Sequence, residues 1–274
     1  MTREHFICVM CGTQFGPTDQ EPNECPICND ERQYVRHEGQ MWTTMAKLRL
    51  EHRNTVIDEE AGLFSVRTEP KCAIGQRALL VQTNEGNLLW DCVPLVDHES
   101  VSAIGSLGGL KGIAVSHPHY YTAMVEWSKA FGEVPIYLHQ NDSRWVMRPD
   151  NCVYFWEGEQ YSLFGGLSLV CTGGHFEGFQ VLHWPAGAEG RGVLLVGDQP
   201  FIVQDRRWVS FMYSYPNLIP LAPEAVRKIV DRLAPLCFDR LYGAFPEQLL
   251  TNGAKETVKR SAIRYQQALS RSSQ

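Results

Sequence analysis

His117 and His119 stand two positions apart in Ser116-His117-Pro118-His119-Tyr120-Tyr121-Thr122, just after an apolar run at 112–115. In an extended segment such residues point to the same side, so both imidazoles can reach one ion. Thr172-Gly173-Gly174-His175 follows a second apolar run, and glycines ahead of a histidine let the backbone turn sharply and bring the imidazole inward. Gly197-Asp198 ends the run 193–196. Trp90-Asp91 ends Leu88-Leu89, where a strand-end carboxylate could orient a ligand histidine. Imidazoles and carboxylates at strand ends are the donor set of a divalent-metal centre.

A second cluster is made of thiols. Cys8-x-x-Cys11 and Cys25-x-x-Cys28 are separated by thirteen residues. Each pair can form a tight knuckle that aims two thiolates at one ion. Gly12 and Asn29, which follow the pairs, are residue types that tolerate the left-handed backbone such turns use. Four thiolates at this spacing suit a tetrahedral structural Zn²⁺ site, a zinc ribbon over 1–37. Iron in a rubredoxin-like site is the rival, and the short spacer favours the ribbon. Phe6, Phe15 and Tyr34 are expected to cover it. So short a segment buries little core, so metal is expected to supply most of its folding free energy.

The rest of the chain must hold these groups in place. At 274 residues, 44% hydrophobic and 20% charged, it has ordinary globular composition and room for one large domain with a small appendage. A formal net charge of −6 argues against nucleic acid as the main partner, because such domains usually carry a basic face. No run reaches the roughly 18 apolar residues that span a bilayer, so no membrane partner is expected. Met1-Thr2-Arg3-Glu4-His5 lacks the features of a signal peptide. Nine cysteines in such a chain read as reduced thiols and metal ligands, and the expectation is a cytoplasmic protein. Cys72, Cys92, Cys152, Cys171 and Cys237 are expected to be buried thiols.

The spacing of apolar residues predicts a connecting amphipathic helix over 38–53 and a polar stretch over 54–60, together a linker at 38–60. Strands are predicted at 63–66, at 78–82 and 87–91 around the hairpin signal Thr83-Asn84-Glu85-Gly86, and at 112–115 and 135–138. Further strands are predicted at 167–171, 179–184, 192–196 and 238–242. Helices are predicted at 98–107, 122–131, 223–233 and 253–269, with a frayed end at 270–274. Such alternation predicts sheets covered by helices, an α/β fold.

A strand-end Asp, His-x-His, Gly-His and Gly-Asp in this order and spacing resemble the metallo-β-lactamase superfamily over about 60–265. The resemblance implies an αββα sandwich at 61–274, with metal at one edge. It implies a first metal site of His117, His119 and His175, with Asp198 as the carboxylate that ordinarily bridges two metals. In that superfamily the His-x-His pair continues as x-Asp-His toward a second metal, and here those places are Tyr121 and Thr122. The last histidine of the pattern is also missing around Leu241-Tyr242-Gly243-Ala244-Phe245.

A single Zn²⁺, or another divalent metal such as Fe or Mn, is therefore expected, activating water against an ester, thioester, amide or lactone of unknown identity. Asp198, Tyr120 and Tyr121 are the candidate catalytic residues. Either tyrosine could donate a hydrogen bond to an oxyanion or be a packed aromatic. The alternative is a non-catalytic protein whose degenerate site serves binding or assembly. A flavodiiron-like redox role fits poorly, since that family uses His-x-Glu-x-Asp where this chain has His-Pro-His-Tyr-Tyr. His139 reads as structural or as a support for a ligand, and His98 and His183 as ordinary surface or strand residues. The aromatic stretch 199–220 could wall a substrate pocket, cover the sheet or form a homodimer contact.

Overall fold

The computed structural model describes residues 3–271, and of the expected frayed end, 272–274 lie outside the described residues. The backbone clusters into two compact units, Met1–Trp156 and Glu157–Gln274.

In the first unit the short strands β1 (Ile7–Cys8) and β2 (Trp42–Thr43) pair with each other around the helical turn α1 (Pro26–Asn29). Helix α2 (Met45–Glu51) follows, and then β3 (Arg53–Glu60), β4 (Leu63–Glu69), β5 (Ala78–Thr83) and β6 (Gly86–Trp90). Helix α3 (His98–Ser106), β7 (Gly112–Ala114), α4 (Met124–Ala130), β8 (Ile136–His139) and β9 (Val153–Trp156) complete it. Strands β3 to β9 form a seven-stranded sheet in sequence order. The pairs from β3 to β6 are antiparallel, whereas β6, β7, β8 and β9 run parallel. Parallel neighbours need crossovers: α3 lies between β6 and β7, α4 between β7 and β8, and a 3-10 turn at 140–145 between β8 and β9, and α4 lies against β7 and β8. Leu79, Leu80, Val81, Leu88, Leu89, Ile113 and Ala114 are buried in these strands.

The helix predicted over 38–53 is shorter than expected. Thr44 caps α2 by accepting from the Lys47 amide at 3.3 Å, and the residues before it are extended. The predicted polar stretch 54–60 is strand β3, because its pairing with β4 across the turn at Gly62 satisfies a full ladder of backbone groups.

The second unit holds β10 (Gln160–Ser162), β11 (Ser168–Cys171), β12 (Gln180–Trp184) and β13 (Val193–Leu195). Two small hairpins follow, β14 (Phe201–Ile202) with β15 (Val209–Ser210) and β16 (Met212–Ser214) with β17 (Ile219–Pro220). Helix α5 (Pro223–Leu233), β18 (Arg240–Tyr242), β19 (Leu249–Leu250) and α6 (Ala254–Arg271) end it. Its six-stranded sheet runs β10-β11-β12-β13-β18-β19, with only β13 and β18 parallel. Helix α5 starts on Pro223 and buries Val226, Ile229 and Leu233, a one-face stripe that packs it on its own unit.

The four-cysteine ribbon is built into the first unit. Its sulfurs are buried together with Ile27, and Met10, Phe15, Trp42, Ile74, Trp145 and Met147 pack over them. Phe15 stands edge-on to Trp42 at 4.9 Å, while Tyr34 is exposed. Gly12 is at φ +80°, and a Cβ there would lie 2.6 Å from Pro94 Cγ. Asn29 needs no left-handed turn, because the second pair sits on α1 and the Asn29 amide bonds Cys25 O at 3.0 Å.

The ribbon also bonds the loop that carries the two histidines. The Gln14 amide donates to Thr122 O at 3.1 Å, and the Gly16 amide to Met147 O at 3.1 Å. Arg148, buried, donates to Gln14 Oε1 and, at 2.6 Å, to Glu126 Oε1 at the start of α4. Burial raises the Glu126 carboxyl, yet Arg148 holds it below the usual range. Arg148→Ala is expected to cost about 2 kcal/mol in urea unfolding, the worth of hydrogen bonds to a charged group. It should also speed hydrogen exchange over 116–124 and leave β11 to β13 unchanged.

Candidate metal centre

The histidine loop is held at both ends by unusual backbone. Asp91, buried at the end of β6 with φ +59°, accepts from the Ser116 amide at 2.7 Å. Its carboxylate pins the peptide before His117. Thr122 lies at φ +30°, costly for a β-branched residue, and its carbonyl is the one that Gln14 captures.

Between these anchors the chain is not one extended run. His117 is extended, with φ −168°, and Pro118 then starts a short 3-10 turn through Tyr120. The two imidazoles still come together, with ring centroids 4.9 Å apart. Ser116 Oγ bonds His117 Nδ1 at 2.8 Å, and the fully buried Tyr120 ring stands edge-on to His117 at 4.5 Å.

His175 owes its place to Gly174. That residue sits at φ +93°, and a Cβ there would lie 2.3 Å from Gln199 Nε2. His175 Nδ1 donates to the Tyr213 carbonyl at 2.8 Å. A carbonyl only accepts, so Nδ1 keeps the proton and the Nε2 lone pair is left for a ligand. Nε2 is 3.9 Å from Asp198 Oδ2. The ligand atoms of His117, His119, His175 and Asp198 all lie within 4.8 Å of one another, and all four side chains are buried. Three imidazoles and one carboxylate at this spacing fit one divalent cation.

The thiol cluster also has the dimensions of a metal site. Cys8 and Cys28 sulfurs are 3.6 Å apart, and those of Cys11 and Cys25 3.7 Å. A tetrahedron with Zn–S bonds of about 2.3 Å has edges of about 3.8 Å. The Cys25 sulfur beside it, with burial, pushes the Cys11 thiol well above its ordinary range. A cation removes that cost by sharing the thiolate charge.

Tyr121 is buried, and burial together with Asp142 raises its phenol well above the ordinary range. His139 stands edge-on to Trp156 at 4.6 Å and accepts from the Asn141 amide at 3.3 Å. His183 bonds Cys237 O at 2.7 Å, and His98 begins α3. The turn after β18, where a last histidine was sought, is built on Gln248, whose Oε1 accepts from Phe245 N at 3.3 Å. Cys92 and Cys152 are buried as expected, but Cys72 and Cys171 are only partly buried and Cys237 is exposed.

Within 199–220 several aromatics pack against residues of the second unit. Arg264 lies over Trp208 at 4.2 Å, Phe211 stands edge-on to Tyr265 at 5.7 Å, and Phe201 packs on Tyr215 at 4.6 Å. Ser116, Tyr213, Gln199 and Tyr215 support the candidate ligands and were not singled out for that role by sequence reasoning. Tyr213 acts through a backbone carbonyl, which carries no residue-type signal.

Comparison with known proteins gives a close sequence relative. The uncharacterized protein YmaE of Bacillus subtilis (strain 168) is 49% identical over 267 residues, covering 97% of each chain. No family model matches the sequence. Among solved structures, the DIM-1 metallo-β-lactamase aligns with a TM-score of 0.57 at 14% identity, over 79% of this chain and 98% of that one. TMB-1 aligns with a TM-score of 0.56 at 17% identity, over 78% and 98%. A B3 metallo-β-lactamase with an active-site glutamic acid aligns with a TM-score of 0.53 at 15% identity, over 79% and 89%. The fold is thus that of the metallo-β-lactamases, with a four-cysteine ribbon at its start.

Gly174→Ala is expected to displace His175. Elemental analysis should find the histidine-site metal lost and the cysteine-site metal retained.

Proposed function

Because the chain belongs to the same family as that Bacillus subtilis protein and carries the metallo-β-lactamase fold, we propose that it is a metal-dependent hydrolase with one metal at the histidine site. The convergence of three buried imidazoles and Asp198, with the His175 tautomer set by a carbonyl, carries this reading. Zn²⁺ suits the donor set best, and Fe or Mn are the rivals. Such a cation supplies Lewis acidity, polarising a carbonyl and lowering the pKa of water.

The protein's own residues do the rest. His117, His119 and His175 present neutral donors, and Asp198 adds a negative charge that offsets half of a dication's. As the only carboxylate of the set, Asp198 is also placed to accept a proton from the attacking water. Tyr120 braces His117, and Tyr121 fills its buried place as a neutral phenol, so neither need touch substrate. The places of a second metal's ligands hold Tyr121 and Thr122, which supports a carbonyl electrophile such as an ester, thioester, amide or lactone over a phosphate clamped by two ions. Zn²⁺ in the ribbon is structural in this reading, and nine cysteines with no disulfide among them support a reducing, cytoplasmic setting.

Purified protein is expected to hold one metal per ribbon and one per histidine site. It should hydrolyse some member of a panel of esters, thioesters, amides and lactones, and His119→Ala should fall to background with the ribbon metal kept. A loaded histidine site with no turnover across the panel would point instead to a binding or assembly role.

A further inference from the structure

The hairpin of β16 and β17 does more than cover its own unit. Its first strand supplies the Tyr213 carbonyl to His175, and two residues later Tyr215 turns back toward the same place. The Tyr215 hydroxyl donates to the Asp198 carbonyl at 2.5 Å. Its ring stands edge-on to His175, centroids 5.7 Å apart, and is backed by Phe201. One side chain therefore touches both residues that this unit contributes to the candidate centre.

Gly197 before Asp198 has no side chain, and after it Gln199 ties the loop back by donating to Gly173 O at 3.2 Å. Rotation of the peptide after Asp198 would swing its Cα–Cβ bond and move the carboxylate away from His175 Nε2. A hydrogen bond to that carbonyl opposes the rotation directly. Resting on the metal-site reading above, we propose that Tyr215 is a positioning residue: its hydroxyl fixes the Asp198 peptide while its ring braces His175. The spacing of the two ligands is thereby set before any ion arrives.

The test uses full-length protein loaded with zinc and challenged with graded chelator, with metal counted by elemental analysis. Tyr215→Phe keeps the rings and removes the hydroxyl, and should release the histidine-site metal at about tenfold less chelator, the lower range for an outer hydrogen-bond partner. The cysteine-site metal should be retained as in the wild type. Nitrogen-15 spectra should still find His175 protonated at Nδ1, since Tyr213 is untouched. Phe201→Leu weakens packing alone and should behave like the wild type. Equal retention by Tyr215→Phe and the wild type would overturn the proposal, as would equal loss in Phe201→Leu, which would reduce the effect to packing. The readout needs no substrate, so a wild type that holds metal but hydrolyses nothing counts against the proposed function alone.

Discussion

A neutral imidazole can give a lone pair to a cation through one ring nitrogen only while the other keeps its proton. Every histidine ligand therefore needs something behind it that selects the tautomer and stops the ring turning. In this protein the Tyr213 carbonyl does so for His175, and Ser116 contacts the outer nitrogen of His117. The first support comes from a short hairpin strand and the second from a loop, and both hold position only when the sheets anchor them. The strained Asp91 and Thr122, with φ +59° and +30°, show where that anchoring is concentrated around the His117–His119 segment.

The ribbon shares in the anchoring. A small metal-bound segment often folds by itself and hangs from its neighbour by a linker. Here its sulfurs lie under Trp145 and Met147, and its backbone bonds Thr122. Arg148 joins Gln14 of the ribbon to Glu126 of α4, so the helix after the histidine loop and the knuckle share one buried cation. The cost of burying the Arg148 charge is met by two acceptors, which is the condition under which a buried ion contributes to order.

Much of this was legible from residue types. Pro223 with the stripe Val226, Ile229 and Leu233 predicts α5 at its observed bounds, and Thr83 to Gly86 marks the β5–β6 turn. The pairing of His117 with His119, the glycines before His175 and the Cys-x-x-Cys spacing are visible because the chemistry demands those side chains. Other features had no such signature. The Tyr213 carbonyl belongs to the backbone, and Tyr215 acts on Asp198 through a hydrogen bond that any aromatic-rich loop could conceal. β10 has three residues, too few for alternation to show. The segment 54–60 read as polar because β3 lies at the edge of its sheet, where pairing on one side suffices. Ribbon packing was missed because Ile74, Trp145 and Met147 are distant in sequence from the cysteines.

That shared packing bears on heredity. A freestanding module can be lost or exchanged by recombination, leaving a sound protein behind. Removing residues 1–37 from this chain would uncover Ile74, Trp145 and Met147 and strip the partner from the Thr122 carbonyl. The remnant would carry an apolar scar beside its histidine loop, the kind of surface that drives aggregation. Loss of the ribbon is thus a change that the first unit absorbs only by repacking the ground on which its histidine loop stands.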